Sequence, residues 1–149
     1  MKKLLNFLMI GAVSAMLVTT SSCTKTCDAG YEGSDCKTEV RTKYYGNYKT
    51  SGTAVNTFGS GAITDLIVTV SSNASDVQNF NFTYTLGGDV YLLNGLLDAN
   101  GTAFTVPSQT AQGVTYSGTG SFTTSSMTLQ LSEVDGSTTT TINLTGPKQ

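Results

Sequence analysis

Apolar residues in this chain recur at every second position, and no window repeats at the 3.6-residue spacing of a buried helix face. Phe80, Phe82, Tyr84 and Leu86 alternate with Asn81, Thr83 and Thr85, and Met127, Leu129 and Leu131 alternate with Thr128, Gln130 and Ser132. One parity is also held by Leu66, Val68 and Val70, by Val114, Tyr116, Gly118, Gly120 and Phe122, by Thr140, Ile142 and Leu144, and by Phe104 and Val106. Successive strand side chains point to opposite faces, so each run predicts a strand with one apolar and one wet face. Threonine, β-branched and polar, suits the wet one. Residues 90–97 are apolar on both parities, which predicts a strand covered on both sides.

Gly87-Gly88, Asn100-Gly101 and Asp135-Gly136 separate these runs and supply the positive φ that two-residue hairpin turns need. Residues 72–75 and 124–126 read as looser connections. Pro107 is expected to end its strand, because proline donates no ladder hydrogen bond. Strands are predicted near residues 44–50, 62–71, 79–86, 89–97, 102–106, 113–119, 121–132 and 138–145. With short links throughout, the fold class predicted is all-β, an antiparallel meander of about eight strands that must roll up to bury its apolar face. A small barrel is favoured over a β-sandwich, since Gly118 and Gly120 on the apolar parity let strands bend.

The first 22 residues differ in kind. Lys2 and Lys3 precede a nearly unbroken apolar run over residues 4–18, the pattern of an export signal and short for a membrane-spanning helix. Small residues then lead into Cys23, and Thr19-Thr20-Ser21-Ser22-Cys23 resembles a bacterial lipobox, with Thr20 where the pattern prefers Leu. The resemblance implies lipidation of Cys23, and Thr24 after it favours the outer membrane. Cys27 and Cys36 remain and, in an exported and oxidising setting, are expected to pair.

The segment Cys27-Asp-Ala-Gly30-Tyr31-Glu-Gly33-Ser-Asp-Cys36 is similar to the last hairpin of an EGF-like domain, with Gly30, Tyr31 and Gly33 at its turns. The other EGF cysteines and the acidic calcium cluster are absent, so a stapled spacer is the expectation. Directly after it stands Glu39-Val-Arg41-Thr-Lys43-Tyr44-Tyr45-Gly46-Asn47-Tyr48. This order resembles small Bacteroidota outer-membrane lipoproteins, in which a truncated EGF-like segment precedes a lipocalin- or calycin-like β domain. The organisation implied is a signal peptide at 1–22, a lipidated Cys23 with hairpin and linker at 23–38, and a β domain at 39–147.

Chemistry is sparse. There is no His among 149 residues, which removes Ser–His and Cys–His nucleophiles and imidazole metal sites. Between residues 44 and 147 the single cation is Lys49, against six acids, a surface that repels nucleic acid. Asp98-Ala-Asn100-Gly101 begins like a calcium loop but lacks its later ligands and reads as a turn. Ser34 and Lys37 match serine–lysine spacing, yet lie inside the cysteine hairpin. Glu133 and Asp135 share a strand face and read as solvated turn acids. No metal, cofactor or catalytic residue is expected.

Two readings of the β domain stay open. In the first, Phe80, Phe82, Tyr84, Leu92, Phe104, Tyr116 and Phe122 line a cavity for a small apolar ligand. In the second, the core packs on itself and outer loops contact glycan or protein. An eight-stranded barrel admits either.

Overall fold

The computed structural model describes residues 26–149; the signal segment and Cys23 lie outside the described residues. A two-stranded hairpin, β1 (Tyr31–Glu32) and β2 (Thr38–Glu39), leads into a short 3-10 helix over Val40–Tyr44. Eight antiparallel strands follow: β3 (Gly46–Asn56), β4 (Gly59–Ser72), β5 (Asn79–Leu86), β6 (Asp89–Leu97), β7 (Ala103–Ala111), β8 (Val114–Phe122), β9 (Ser126–Asp135) and β10 (Thr138–Pro147). Each pairs with the next, and β10 pairs back onto β3 from Thr141↔Val55 to Thr145↔Ser51, closing the barrel. Gly87, Gly88, Gly101 and Gly136 all take the positive φ expected of their turns.

The parity reading of the core holds along most strands. Tyr48, Val68, Leu93 and Leu131 have no exposed surface, and Phe80, Phe82, Phe104, Tyr116 and Phe122 are buried around them. Phe122 is the hub near one end, stacked on Tyr44 at 4.4 Å and in contact with Tyr48, Phe80 and Phe104 at 5.8, 5.4 and 4.8 Å. Glycines make room for these rings: a Cβ on Gly95 would lie 2.3 Å from Phe80 Cζ, and one on Gly120 would lie 2.2 Å from Phe104 Cζ.

Four expectations are corrected. Residues 52–61, too rich in Gly, Ser and Thr to show an apolar period, form the long β3–β4 hairpin with its turn at 57–58. The break placed near residue 120 falls instead at 123–125, so β8 runs unbroken to Phe122. Pro107 does not end β7; the strand bulges between Val106 and Gln109 and continues to Ala111. The β6–β7 ladder has only the pairs Leu96↔Thr105 and Leu97↔Phe104, and beyond them the Gln109 side chain stands in for a peptide group. Its Oε1 accepts from the Asn94 N–H at 2.8 Å and its Nε2 donates to the Asn94 carbonyl at 2.9 Å. Finally, β6 is covered on one side only: Tyr91, Leu93 and Leu97 face inward, while Val90, Leu92 and Leu96 face out.

The 3-10 helix seals what we term the near end. Tyr44 donates its hydroxyl to the Gly101 carbonyl at 2.5 Å, and Lys148 Nζ donates to the Lys43 carbonyl at 2.8 Å. The central contact is Arg41, buried to 7 % exposure. One terminal nitrogen of its guanidinium meets the carbonyls of Asn73 and Asp76, each at 2.6 Å, and of Asn79, while Nε pairs with Glu39 at 2.9 Å. The β4–β5 loop thus wraps its carbonyls around a cation supplied by the chain itself. The disulfide Cys27–Cys36 closes the N-terminal hairpin, which docks here too: the Val40 N–H donates to the Gly30 carbonyl at 2.9 Å, and Gly30 packs against Val77 so tightly that a Cβ would sit 2.7 Å from it.

Arg41→Met removes the donor from three carbonyls and leaves Glu39 unpaired, a loss of about 3 kcal/mol for a broken buried charge network. Thermal melts of the variant should fall by roughly 10 °C, and a Tm unchanged from wild type would show that the plug is dispensable.

Candidate functional site

Chain direction fixes which residues meet at the far end. β3 leaves the 3-10 helix at the near end, so the turns after β3, β5, β7 and β9 gather at the opposite rim. No lysine or arginine stands in the segments 52–63, 84–92, 109–117 and 132–140 that build it, while Asp89, Glu133 and Asp135 do. Inward alternation on β9 runs Met127, Leu129, Leu131, Glu133. The same periodicity that fills the core therefore delivers a carboxylate to the mouth.

Register then sets three tyrosines beside it. Tyr84 on β5 pairs with Tyr91 on β6, and Tyr116 on β8 pairs with Glu133 on β9. Tyr84 and Tyr91 stack at 5.1 Å, and Tyr91 meets Tyr116 edge-on at 5.9 Å. Burial, with neighbouring negative groups, pushes the Tyr84 and Tyr116 hydroxyls well above the ordinary phenol range. Burial, then repulsion from Asp135, raises the Glu133 carboxyl. Among the described residues Glu133 has no ion pair and no hydrogen bond.

The barrel wall is open next to this cluster. The β4–β5 ladder runs only from Val68↔Tyr84 to Ser72↔Phe80, although β4 continues to Gly59. A bulge opposite Ser51, with Asp65 at φ 56°, peels β4 away from β5. The gap is a groove of about 610 Å³ lined by Ile63, Asp65, Leu66, Ile67, Tyr84 and Leu86 among others. Asp65 is paired with Lys49 at 3.0 Å.

The residues read from the sequence fall into separate places. Phe80, Phe82, Tyr84, Phe104, Tyr116 and Phe122 come together inside the barrel, packed on one another. Leu92, taken for a lining residue, is on the outer wall and 57 % exposed, because β6 turns its other parity inward. Gly30 and Gly33 adopt positive φ in the disulfide hairpin, and Tyr31 pairs with Glu39. Asp98 builds a turn, its carboxylate accepting from the Thr102 N–H at 3.0 Å. Tyr44 and Tyr48 are core residues; burial pushes Tyr48 up to about 12. Tyr45 is partly buried beside them, its hydroxyl enclosed without a partner among the described residues. Sequence reading missed Arg41, the β4–β5 opening and Phe58, 86 % exposed at the β3–β4 tip. Only Phe58, a lone aromatic among Gly, Ser and Thr, carried a local signal.

No protein-family profile matches the chain, and no curated protein does. Among solved structures it is similar to a crystal structure of a candidate outer membrane protein from Bacteroides fragilis NCTC 9343, with a TM-score of 0.56 and 12 % identity. The match covers 74 % of this chain and 54 % of that one, so this chain spans about half of its neighbour's length. At that identity the likeness concerns the fold.

A raised carboxyl means that the native state holds more protons than the unfolded chain between the ordinary value of 4.5 and the shifted one. Its burden on stability is therefore present above the shifted value and relieved on acidification. Glu133→Gln should raise Tm near neutral pH, with the gain shrinking as pH falls toward 4.5. Melting curves of the two proteins that stay parallel across that range would overturn this assignment.

Proposed function

We propose that this protein is a lipid-anchored, non-catalytic outer-membrane lipoprotein that docks a protein partner through the outer wall of its barrel. The carrying observation is a row of three exposed apolar side chains on the outward face of β6. Val90, Leu92 and Leu96 on β6 are 55 %, 57 % and 38 % exposed, all on the outward parity of that strand. β5 sets Thr85 and Thr83 opposite Val90 and Leu92 on the same outer face. Exposed apolar patches on a soluble surface mark interaction sites, and proteins are the partners that bury them.

The interior favours this reading over an apolar cargo, since its own side chains occupy the space a ligand would need. The location is supported by the apolar leader ending in Cys23 and by the name of the Bacteroides neighbour. A barrel that crosses a bilayer turns apolar residues outward and polar ones inward. Here β9 and β10 do the reverse, with Thr128, Gln130 and Asn143 outside and Leu129, Leu131 and Ile142 within. Such a body sits in water beside a membrane and requires a separate anchor.

Cys23→Ala should release the protein from the outer-membrane fraction into the soluble one, with loss of the acyl mass; retention with the membrane would sink the anchor. A photo-crosslinking residue at Leu92 should trap a discrete protein partner in cells, and one at Gln130 on the polar face should not. Equal labelling from both positions, or none from Leu92, would refute the docking wall.

A further inference from the structure

We propose that two copies of this chain pair edge to edge through β4, each seating its Phe58 in the groove between β4 and β5 of the other. β4 is paired with β3 from Val70 to Gly59, but with β5 only from Ser72 to Val68. Residues 59–67 therefore have a strand on one side and none on the other among the described residues. Alternate residues of such a run turn N–H and C=O toward the empty side, at the spacing of another extended backbone. Natural edges are guarded by lysine, proline or a bulge. Here the bulge and the Asp65–Lys49 pair guard the inner end alone. The outer run Gly59-Ser60-Gly61-Ala62-Ile63-Thr64 has no charge and no proline, and all of it except Ile63 is exposed.

The two ends of that run identify a second copy as the occupant. At one end Phe58 is 86 % exposed, more than any other large apolar side chain among the described residues. At the other lies the groove of about 610 Å³, with Ile63, Leu66, Ile67 and Leu86 in its lining. An apolar knob and an apolar hollow on one edge are what a two-fold contact of like surfaces requires, since each copy supplies both. Directly opposed residues of an antiparallel pair share a face, so the axis passes at the level of a residue and not between two. At Ala62, the middle of residues 59–65, it sets Ala62 against its mate, Ser60 against Thr64, and Phe58 at the level of Leu66 and Ile67. Apolar surface that now meets water on both copies is then buried together. The axis also reverses one barrel relative to the other: the far rims overlap and the caps point away from each other. Chains anchored through Cys23, the reading proposed above, therefore pair across two facing membrane surfaces.

The test uses the full chain extracted in mild detergent, where pairing does not depend on an anchor. Ala62→Cys places a thiol at the axis and, under mild oxidation, should give a disulfide-linked dimer of twice the monomer mass. Gln130→Cys on the polar wall should not. Adding Phe58→Ser to Ala62→Cys should cut the dimer yield at least about fivefold. All three positions are exposed, so the variants keep the fold. In sedimentation the wild type should run as a dimer and Ala62→Lys, which sets two like charges face to face, as a monomer. The pairing is overturned if Ala62→Cys gives no dimer or an adduct of another mass, if Gln130→Cys crosslinks equally, or if Phe58→Ser leaves the yield unchanged. Vesicles carrying the chain by its lipid should cluster; if they stay apart while the dimer forms in detergent, the bridging of membranes fails and the pairing stands.

Discussion

One buried guanidinium holds the near end of this barrel shut, and most of the architecture depends on it. Arg41 gathers the carbonyls of Asn73, Asp76 and Asn79 as a bound metal ion would, but the cation is covalently part of the chain. Its position fixes the 3-10 helix over the opening, and the helix carries Tyr44 onto Phe122 and its hydroxyl onto the Gly101 carbonyl. The β4–β5 loop, the β6–β7 loop and the N-terminal hairpin are all tied to this cap. With the near end closed and the interior filled by Phe80, Phe104, Phe122 and their neighbours, any binding chemistry is displaced to the wall and the far rim.

That displacement explains why the fold was legible while much of the site was not. Period-two alternation specifies which side chains enter a barrel, and it placed Phe82, Tyr84, Tyr116, Leu129 and Leu131 inside without ambiguity. It fails where both parities are apolar: in residues 90–97 nothing local distinguishes Leu92 from Leu93, and only pairing with β5 decides. It is silent where no side chain is large, so the β3–β4 hairpin went unread. Pro107 was read by its missing donor, correctly as to chemistry, but the outcome turned on Gln109, whose amide repairs the ladder two residues later. Arg41 gave no signal because one cation in a balanced, charged linker looks like any solvated residue. The mouth cluster was half visible: the parity of Glu133 and Asp135 is plain, but bringing Tyr84, Tyr91 and Tyr116 to the same level requires the register of four strands.

The two halves of the molecule differ accordingly. Near the cap, cations and acids are interleaved and satisfied, as in the Lys43–Glu32 pair at 2.8 Å and the Arg41–Glu39 pair. At the far rim the carboxylates stand without cations among the described residues, and the ladder between β4 and β5 is left unfinished. An eight-stranded barrel does not need such a break in order to close. Its cost is borne by a bulge at Asp65 and by backbone groups along β4 that find no strand partner.

The docking of the cysteine hairpin onto the cap also governs how the domain is presented. Because Gly30 is wedged against Val77, the hairpin is part of the barrel's end rather than a swinging arm. With lipid on Cys23, only three residues would separate the bilayer attachment from Cys27, a reach of about 14 Å over four Cα steps at full extension. A body on so short a leash could not tumble end over end. It would stand with its cap to the lipid and lift Phe58 and the acidic rim to the greatest height above the membrane, where a passing molecule would meet them before anything else on the protein.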